Sequence, residues 1–406
     1  MRSSKKIQWT AALALSGLII TGCGAPGGGG STESLSSSDV PEKPSAAVTL
    51  NILDVAGNKQ LTEGIFDSFV EEHPDIISKV TWETAGAPDM AGKVKAQQQA
   101  GNLKIDLVLT GTDGLAAGIS QDLFTTVATD FKDRLSNMDN YQEPAAAMQE
   151  LAQDHAVELT YYPSGPLLEY NPEKVPNPPT TAAELLDWAK ANPGKFGYAR
   201  PANSGPGRTF LMGLPYILND SDPSDPVAGW DKTWDFLKEL NQGIPSYPTG
   251  TGVTMNNLKN GTWDMAMTTT GWDINPRALN QVPTNFKVQA LEGFTWVTDA
   301  HYAAIPKGVS ADKMSAILQV LQYALTPEQQ AKTYDSGYFY PGPAVNDVTL
   351  SMAPQSSQDV ISKFGRPEYD DLIANNPKAK PIDADALVKA FDKWDNEVAS
   401  GKFEKK

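Results

Sequence analysis

The stretch NSGPGRTF, residues 203–210, sets a hydroxyl, two glycines and a guanidinium ahead of an apolar run. Backbone amides at a helix start accept an anion, and Arg208 could clamp a carboxylate or phosphate with two parallel donors. Ser204 could equally serve only as the helix cap. No Lys-Ser/Thr pair closes the stretch, so it is not a nucleotide-binding P-loop. TTTGWD, residues 268–273, places the aromatic face of Trp272 beside the carboxylate of Asp273. That pairing suits a sugar ring or an organic cation, and also suits a core Trp with a turn Asp. Asp113 lies in TGTDG, residues 110–114, where glycines let a ligand approach the backbone; a turn aspartate is the plainer alternative. Asp54 and Asn58 fall in the loop after a strand, and Asn58 could instead cap the helix that follows. Tyr161 and Tyr162 are neighbours on one strand, so they point to opposite faces and at most one reaches a shared cleft.

The elements that must carry these groups are legible from period. Val48, Leu50 and Ile52 alternate as in a strand. Leu61, Ile65, Phe66, Phe69 and Val70 share one helical face. KVTWET (79–84) reads as a strand, DMAGKVKAQQQA (89–100) as a helix, and IDLVLT (105–110) as a third strand. Strand and helix in alternation predict an α/β layer with a largely parallel sheet, with ligands met at the carboxyl ends of its strands. That puts loops 54–58 and 110–114 on one rim. The pattern restarts after residue 160. Thr181 and Glu184 form a capping box, FGYA is a strand, and a helix is expected near 229–241. TWDMAMTTTGWD reads as a strand running into a loop and HYAAIP as another strand. Helices are expected near 310–324, 327–335 and 383–398. Two α/β units with a cleft between them follow, and such clefts are common ligand sites.

Only one cysteine, Cys23, occurs in 406 residues. Arg2, Lys5 and Lys6 precede the uncharged run AALALSGLII (11–20). That run is too short to cross a bilayer core of roughly 30 Å as a helix, but it fits a secretory signal. Residues 24–46 are rich in Gly, Ser, Pro and Ala, have little to bury, and are expected to be a flexible tether. The net charge of −16 becomes more negative by three once residues 1–22 are removed. Such a field disfavours nucleic acid and anionic lipid as partners. The remaining length suffices for two domains, and no second long apolar run exists, so the body is expected to be soluble. The three histidines are scattered, so neither a metal nor another cofactor is expected.

LIITGC, ending at Cys23, resembles the lipobox of bacterial lipoproteins, with Ile20 where a leucine is usual. The segments at 161–201, 260–272 and 301–334, in that order, resemble the two-lobed solute-binding lipoproteins of bacterial ABC importers. PGKFGYARPANSGPGRTFL carries a narrower likeness to the branch of polyamine, thiamine and iron binders. The resemblance implies a type II periplasmic-binding-protein fold: two lobes, each a mainly parallel sheet flanked by helices, that hinge shut on a solute. It implies a signal over 1–22, a lipid anchor at Cys23 with tether to 46, lobe 1 over 48–160 and 302–340, and lobe 2 over 161–298 and 341–406. Tyr302, just past the return crossing, joins the binding candidates. Iron-binding relatives ligate metal through paired tyrosines, but the spacing at Tyr161 and Tyr162 does not establish that. The expected role is capture without chemistry by a monomer on the outer face of the cell membrane, serving an ABC permease. The solute could be a polyamine-like cation or a sugar, while Arg208 favours an anionic group. A ligand-presenting partner of a membrane sensor would share the fold. An exported hydrolase acting on carbohydrate would need two facing carboxylates.

Overall fold

A computed structural model describes residues 35–55 and 57–402. The signal, Cys23 and the first part of the tether lie outside the described residues. The remainder of the expected tether is not loose. Val40 is buried in the first lobe's core, Arg134 donates to the carbonyls of Val40, Pro41 and Glu42, and Ser45 caps Asp312 through both its amide and its hydroxyl at 2.9 and 2.6 Å. The flexible tether expected as far as residue 46 therefore does not hold over 35–46.

The chain then runs β1 (Val48–Asp54), α1 (Asn58–Glu72), β2 (Ile77–Thr84), α2 (Ala87–Gln99), β3 (Leu107–Gly111) and α3 (Thr112–Ser120). Short helices α4 (Val127–Asp130) and α5 (Glu143–Gln149) lead into β4 (Ala156–Gly165), which crosses to the second lobe. There follow β5 (Leu167–Tyr170), α6 (Ala182–Ala191), β6 (Phe196–Gly197), α7 (Gly205–Ile217), α8 (Asp231–Leu240), α9 (Thr251–Lys259), β7 (Met265–Thr268), α10 (Thr270–Ala278) and β8 (Lys287–Gln289). The return strand β9 (Trp296–Ala304) leads to α11 (Ala311–Ala324) and α12 (Pro327–Gln330). The chain ends with α13 (Gln355–Phe364), α14 (Glu368–Asn375), β10 (Lys378–Ala379) and α15 (Ala384–Lys393).

The first sheet orders its strands β2-β1-β3-β9, with β4 and β10 also paired to β9. β1 is parallel to β2 and β3, as its crossover helices require; β3 and β4 run antiparallel to β9. The second sheet is β6-β7-β5-β8, and only β6 and β7 are parallel. The expectation of a mainly parallel sheet thus fails in lobe 2, because β5 arrives as the continuation of a crossing strand rather than from a crossover helix. The lobe division shifts too. Ala344 and Val345 sit in the core of lobe 1 and Gly342 bridges Tyr161, so the segment after 341 first returns to lobe 1. At the far end, α15 puts Leu387 and Ala390 in the lobe 2 core, where they meet Ala116 of α3. No helix among the described residues is long and apolar enough to cross a membrane.

Candidate functional site

Between the lobes lies a cavity of about 300 Å³, within the range of small-molecule sites. Its lobe 1 wall is built at the carboxyl ends of β1, β2 and β3, from Val55, Gly86, Ala87, Asp89, Gly111 and Asp113. Its lobe 2 wall comes from the starts of α7, α9 and α10: Asn203, Ser204, Gly205, Arg208, Thr249, Thr251 and Trp272. Asp299 and His301 of β9 form the floor, and Tyr338 and Phe339 cross over it.

Arg208 is the centre of the charge pattern. Its guanidinium is ion-paired with Asp299 and lies 3.4 Å from Asp113, so one cation joins α7 of lobe 2, the crossing strand and α3 of lobe 1. Burial alone would lower its pKa; the charges of Asp299 and Asp113 outweigh this and raise it. Asp299 also accepts from Tyr162 Oη and Thr112 Oγ1, both at 2.8 Å. Burial, then the Asp299 charge, pushes the Tyr162 phenol well above its usual range, so it donates. His301 stacks edge-on against Phe339 with ring centroids 3.9 Å apart. Burial drops its pKa to about 3, so the ring is neutral.

Ser204 caps α7 by accepting from the Gly207 amide at 3.2 Å, and its hydroxyl lies 2.8 Å from Thr251 Oγ1. The capping and cleft-lining readings of Ser204 therefore coexist. Trp272 is placed on the wall, edge to face with Tyr338 at 5.6 Å. The expected loops at 110–114 and 269–273 are instead helix starts: Asp113 is in the first turn of α3 and Asp273 in the first turn of α10. That geometry turns Asp273 inward. It is fully buried, holds Arg277 and Arg366, and accepts from Tyr369 Oη at 2.7 Å; it belongs to the core of lobe 2. Tyr302 is also buried, donating to the Met148 carbonyl at 2.8 Å inside lobe 1. Tyr161 packs in the lobe 1 core while Tyr162 faces Phe339 beneath the cleft. Asp54 ends β1 near Tyr338, whose phenol is raised by burial and by the Asp54 charge. Asn58 is the buried first residue of α1 and makes no side-chain cap. Neither Asp54 nor Asn58 lines the cavity. Among the described residues, no group of three or more His, Cys, Asp or Glu is placed to hold a metal.

Two lining groups went unread in the sequence although the signal was present. In TDAHYAA, residues 298–304, Asp299 and His301 are two apart and share a face, while Ala300 and Tyr302 take the other. A strand otherwise apolar, interrupted twice on one face, marks that face as lining something polar.

Residues 64–363 match the bacterial extracellular solute-binding protein family. The chain belongs to that family. This is a family of solute binders rather than enzymes, and it works outside the cytoplasm. Of the carboxylates lining the cavity, Asp113 and Asp299 are both turned onto Arg208. No curated protein sequence matches this solute-binding protein. Solved structures share its two-lobed fold. The periplasmic binding protein AfuA from Actinobacillus pleuropneumoniae, with exogenous fructose-6-phosphate bound, is 16% identical with a TM-score of 0.61, covering 86% of this chain and 98% of that one. The spermidine/putrescine ABC transporter substrate-binding protein PotD from Streptococcus pneumoniae is 16% identical with a TM-score of 0.56, covering 86% and 99%. The TpPotD lipoprotein of Treponema pallidum is 11% identical with a TM-score of 0.62, covering 87% and 100%.

Proposed function

We propose that this solute-binding protein closes its lobes on one small polar solute and delivers it to the permease of an ABC importer, tethered to the outer face of the cell membrane through lipid on Cys23. The observation that carries the reading is a cavity walled by both lobes, with the crossing strand β9 and the buried Arg208 at its centre. Relative motion of the lobes would admit a ligand there and then hide it, the hinge behaviour that makes a closed, solute-bound surface for a membrane partner. The structural neighbours support it: PotD is named as an ABC transporter component and TpPotD as a lipoprotein. LIITGC supports the anchor. Asp113, Ser204, Arg208 and Trp272 are the ligand contacts on this reading; Tyr162 acts beneath them through Asp299.

The test is a thermal-shift screen of the chain lacking residues 1–22, with Cys23→Ser to remove the thiol, against polyamines, thiamine, sugars, sugar phosphates and amino acids. A saturable rise in melting temperature with one class is expected, since a ligand that binds only the native state stabilises it. Substrate turnover without such a rise would reject the capture reading. The anchor is tested separately: metabolic labelling with a radioactive fatty acid should mark the wild type and not Cys23→Ser.

A further inference from the structure

The cavity's two walls differ in charge. Lobe 1 contributes Asp89 and Asp113; the lobe 2 wall contains no carboxylate among the described residues and carries the starts of α7 and α9 side by side, joined by the Ser204 and Thr251 hydroxyls at 2.8 Å. A Cβ built on Gly205 would sit 3.8 Å from Tyr162 Oη and 3.9 Å from Asp299 Oδ2, so α7 brings its first residue close to the Asp299–Arg208 centre. In α7 Pro206 has no N–H, Gly207 donates to Ser204 Oγ and Arg208 to the Ser204 carbonyl, so Gly205 is the amide left to a ligand there; each helix start also carries roughly half a positive charge.

Helix starts alone would not name a ligand; two side chains do. Arg208 and His301 both line the cavity and are 4% and 1% exposed. The Nε of Arg208 and the Nδ1 of His301 have no hydrogen-bond partner among the described residues. A buried polar atom left so is costly. A nitrogen on a guanidinium can only donate, so what satisfies Arg208 Nε must be an acceptor. His301 Nδ1 donates in one neutral tautomer. Asp299 cannot serve further as the anion at this point, since it is already shared among Tyr162, Thr112 and Arg208.

Resting on the solute-capture reading, we infer that the lobe 2 wall is an anion subsite, and that the solute carries a carboxylate or phosphate group bound between the starts of α7 and α9, Arg208 and His301. The far end of the solute then faces Asp89 and bears hydroxyl or ammonium donors.

The full chain lacking its signal, with Cys23→Ser, is titrated with inorganic phosphate and with succinate, and in parallel with putrescine and with glucose. Ionic strength is held constant, and melting temperature and tryptophan fluorescence are read. A saturable response to phosphate or succinate is expected. Arg208→Lys, which keeps the charge and removes Nε as a donor, should weaken it at least tenfold. His301→Phe should weaken it several-fold, and serves if the Arg208 variant does not fold. A saturable response to putrescine or glucose alone would overturn the anion subsite and leave solute capture standing. So would an anion response that neither folded variant changes. Silence from all four probes also overturns the subsite, and solute capture is then decided by the wider screen.

Discussion

At the scale of single residues, Trp272 and Asp273 separate although they are neighbours in sequence. Trp272 offers a half-buried ring to the cavity, so Trp272→Ala should weaken solute binding by about 1–3 kcal/mol with little change in melting temperature, as titration calorimetry would show. Asp273→Ala should do the opposite. It leaves the buried guanidinium groups of Arg277 and Arg366 without their shared carboxylate. Removing one partner of a buried ion pair costs about 3–5 kcal/mol, to be read by urea denaturation. Tyr302→Phe removes one hydrogen bond to the Met148 carbonyl, costs about 1 kcal/mol and should leave solute affinity unchanged. A drop in affinity for the Tyr302 variant would return that residue to the site.

At the scale of elements, the strands and helices follow from period, and the misreadings share one physical cause. Glycine and threonine in TGTDG and TTTGWD read as loop residues, yet Gly111 and Thr269 are helix caps. The first turn of a helix is rich in the residue types that make turns, so the end of a loop and the start of a helix look alike. Asp54, Asp113 and Ser204 were legible as ends of elements. What sequence could not supply is which end meets which across the cleft, since Asp299, His301 and the crossing Tyr338 and Phe339 join them only through tertiary packing. Helix α10 shows how tight that packing is. A Cβ on Gly271 would lie 2.5 Å from the Phe339 amide nitrogen and 2.7 Å from the Tyr338 carbonyl oxygen. Gly271→Ala should therefore lower the melting temperature sharply. Gly64→Ala, within α1 and with open space around it, should raise stability by about 0.5–1 kcal/mol. The crossing strand β4 adds a pH dependence. Burial, reinforced by the charge of Asp299, holds the Glu158 carboxyl well above its ordinary range, and neither of its oxygens has a partner among the described residues. The unfolded chain loses that proton near pH 4.3 while the native state keeps it. This stabilising contribution is therefore whole below about pH 4.3 and declines by about 1.4 kcal/mol per unit as pH rises toward the native-state pKa. Denaturation of Glu158→Gln between acidic and neutral pH should show a flatter curve than wild type. Parallel curves would mean that Glu158 ionises normally in the fold.

At the scale of the whole molecule, the question is what holds the lobes together, and the links are of two kinds. β4 and β9 are continuous chain and cannot let go, and α15 joins the lobe 2 core to α3 through apolar packing. The Arg208–Asp113 contact is different, because it spans the cleft at 3.4 Å and can open as the lobes part. Opening leaves Arg208 with Asp299, so the guanidinium keeps one carboxylate and the cost of separation is smaller than that of breaking an isolated buried pair. Such a contact biases the protein toward closure without locking it. An apparent affinity falls in proportion to the fraction of molecules that are binding-competent, so the bias bears on capture itself. Asp113→Asn removes the charge and nearly keeps the shape. Without solute, its small-angle scattering should report a larger radius of gyration than wild type, and saturating solute should bring the two together. Asp113 also lines the cavity, so a change in affinity alone would not distinguish a lost contact from a shifted equilibrium. The ligand-free radius does, and equal ligand-free radii would assign Asp113 to the solute rather than to closure.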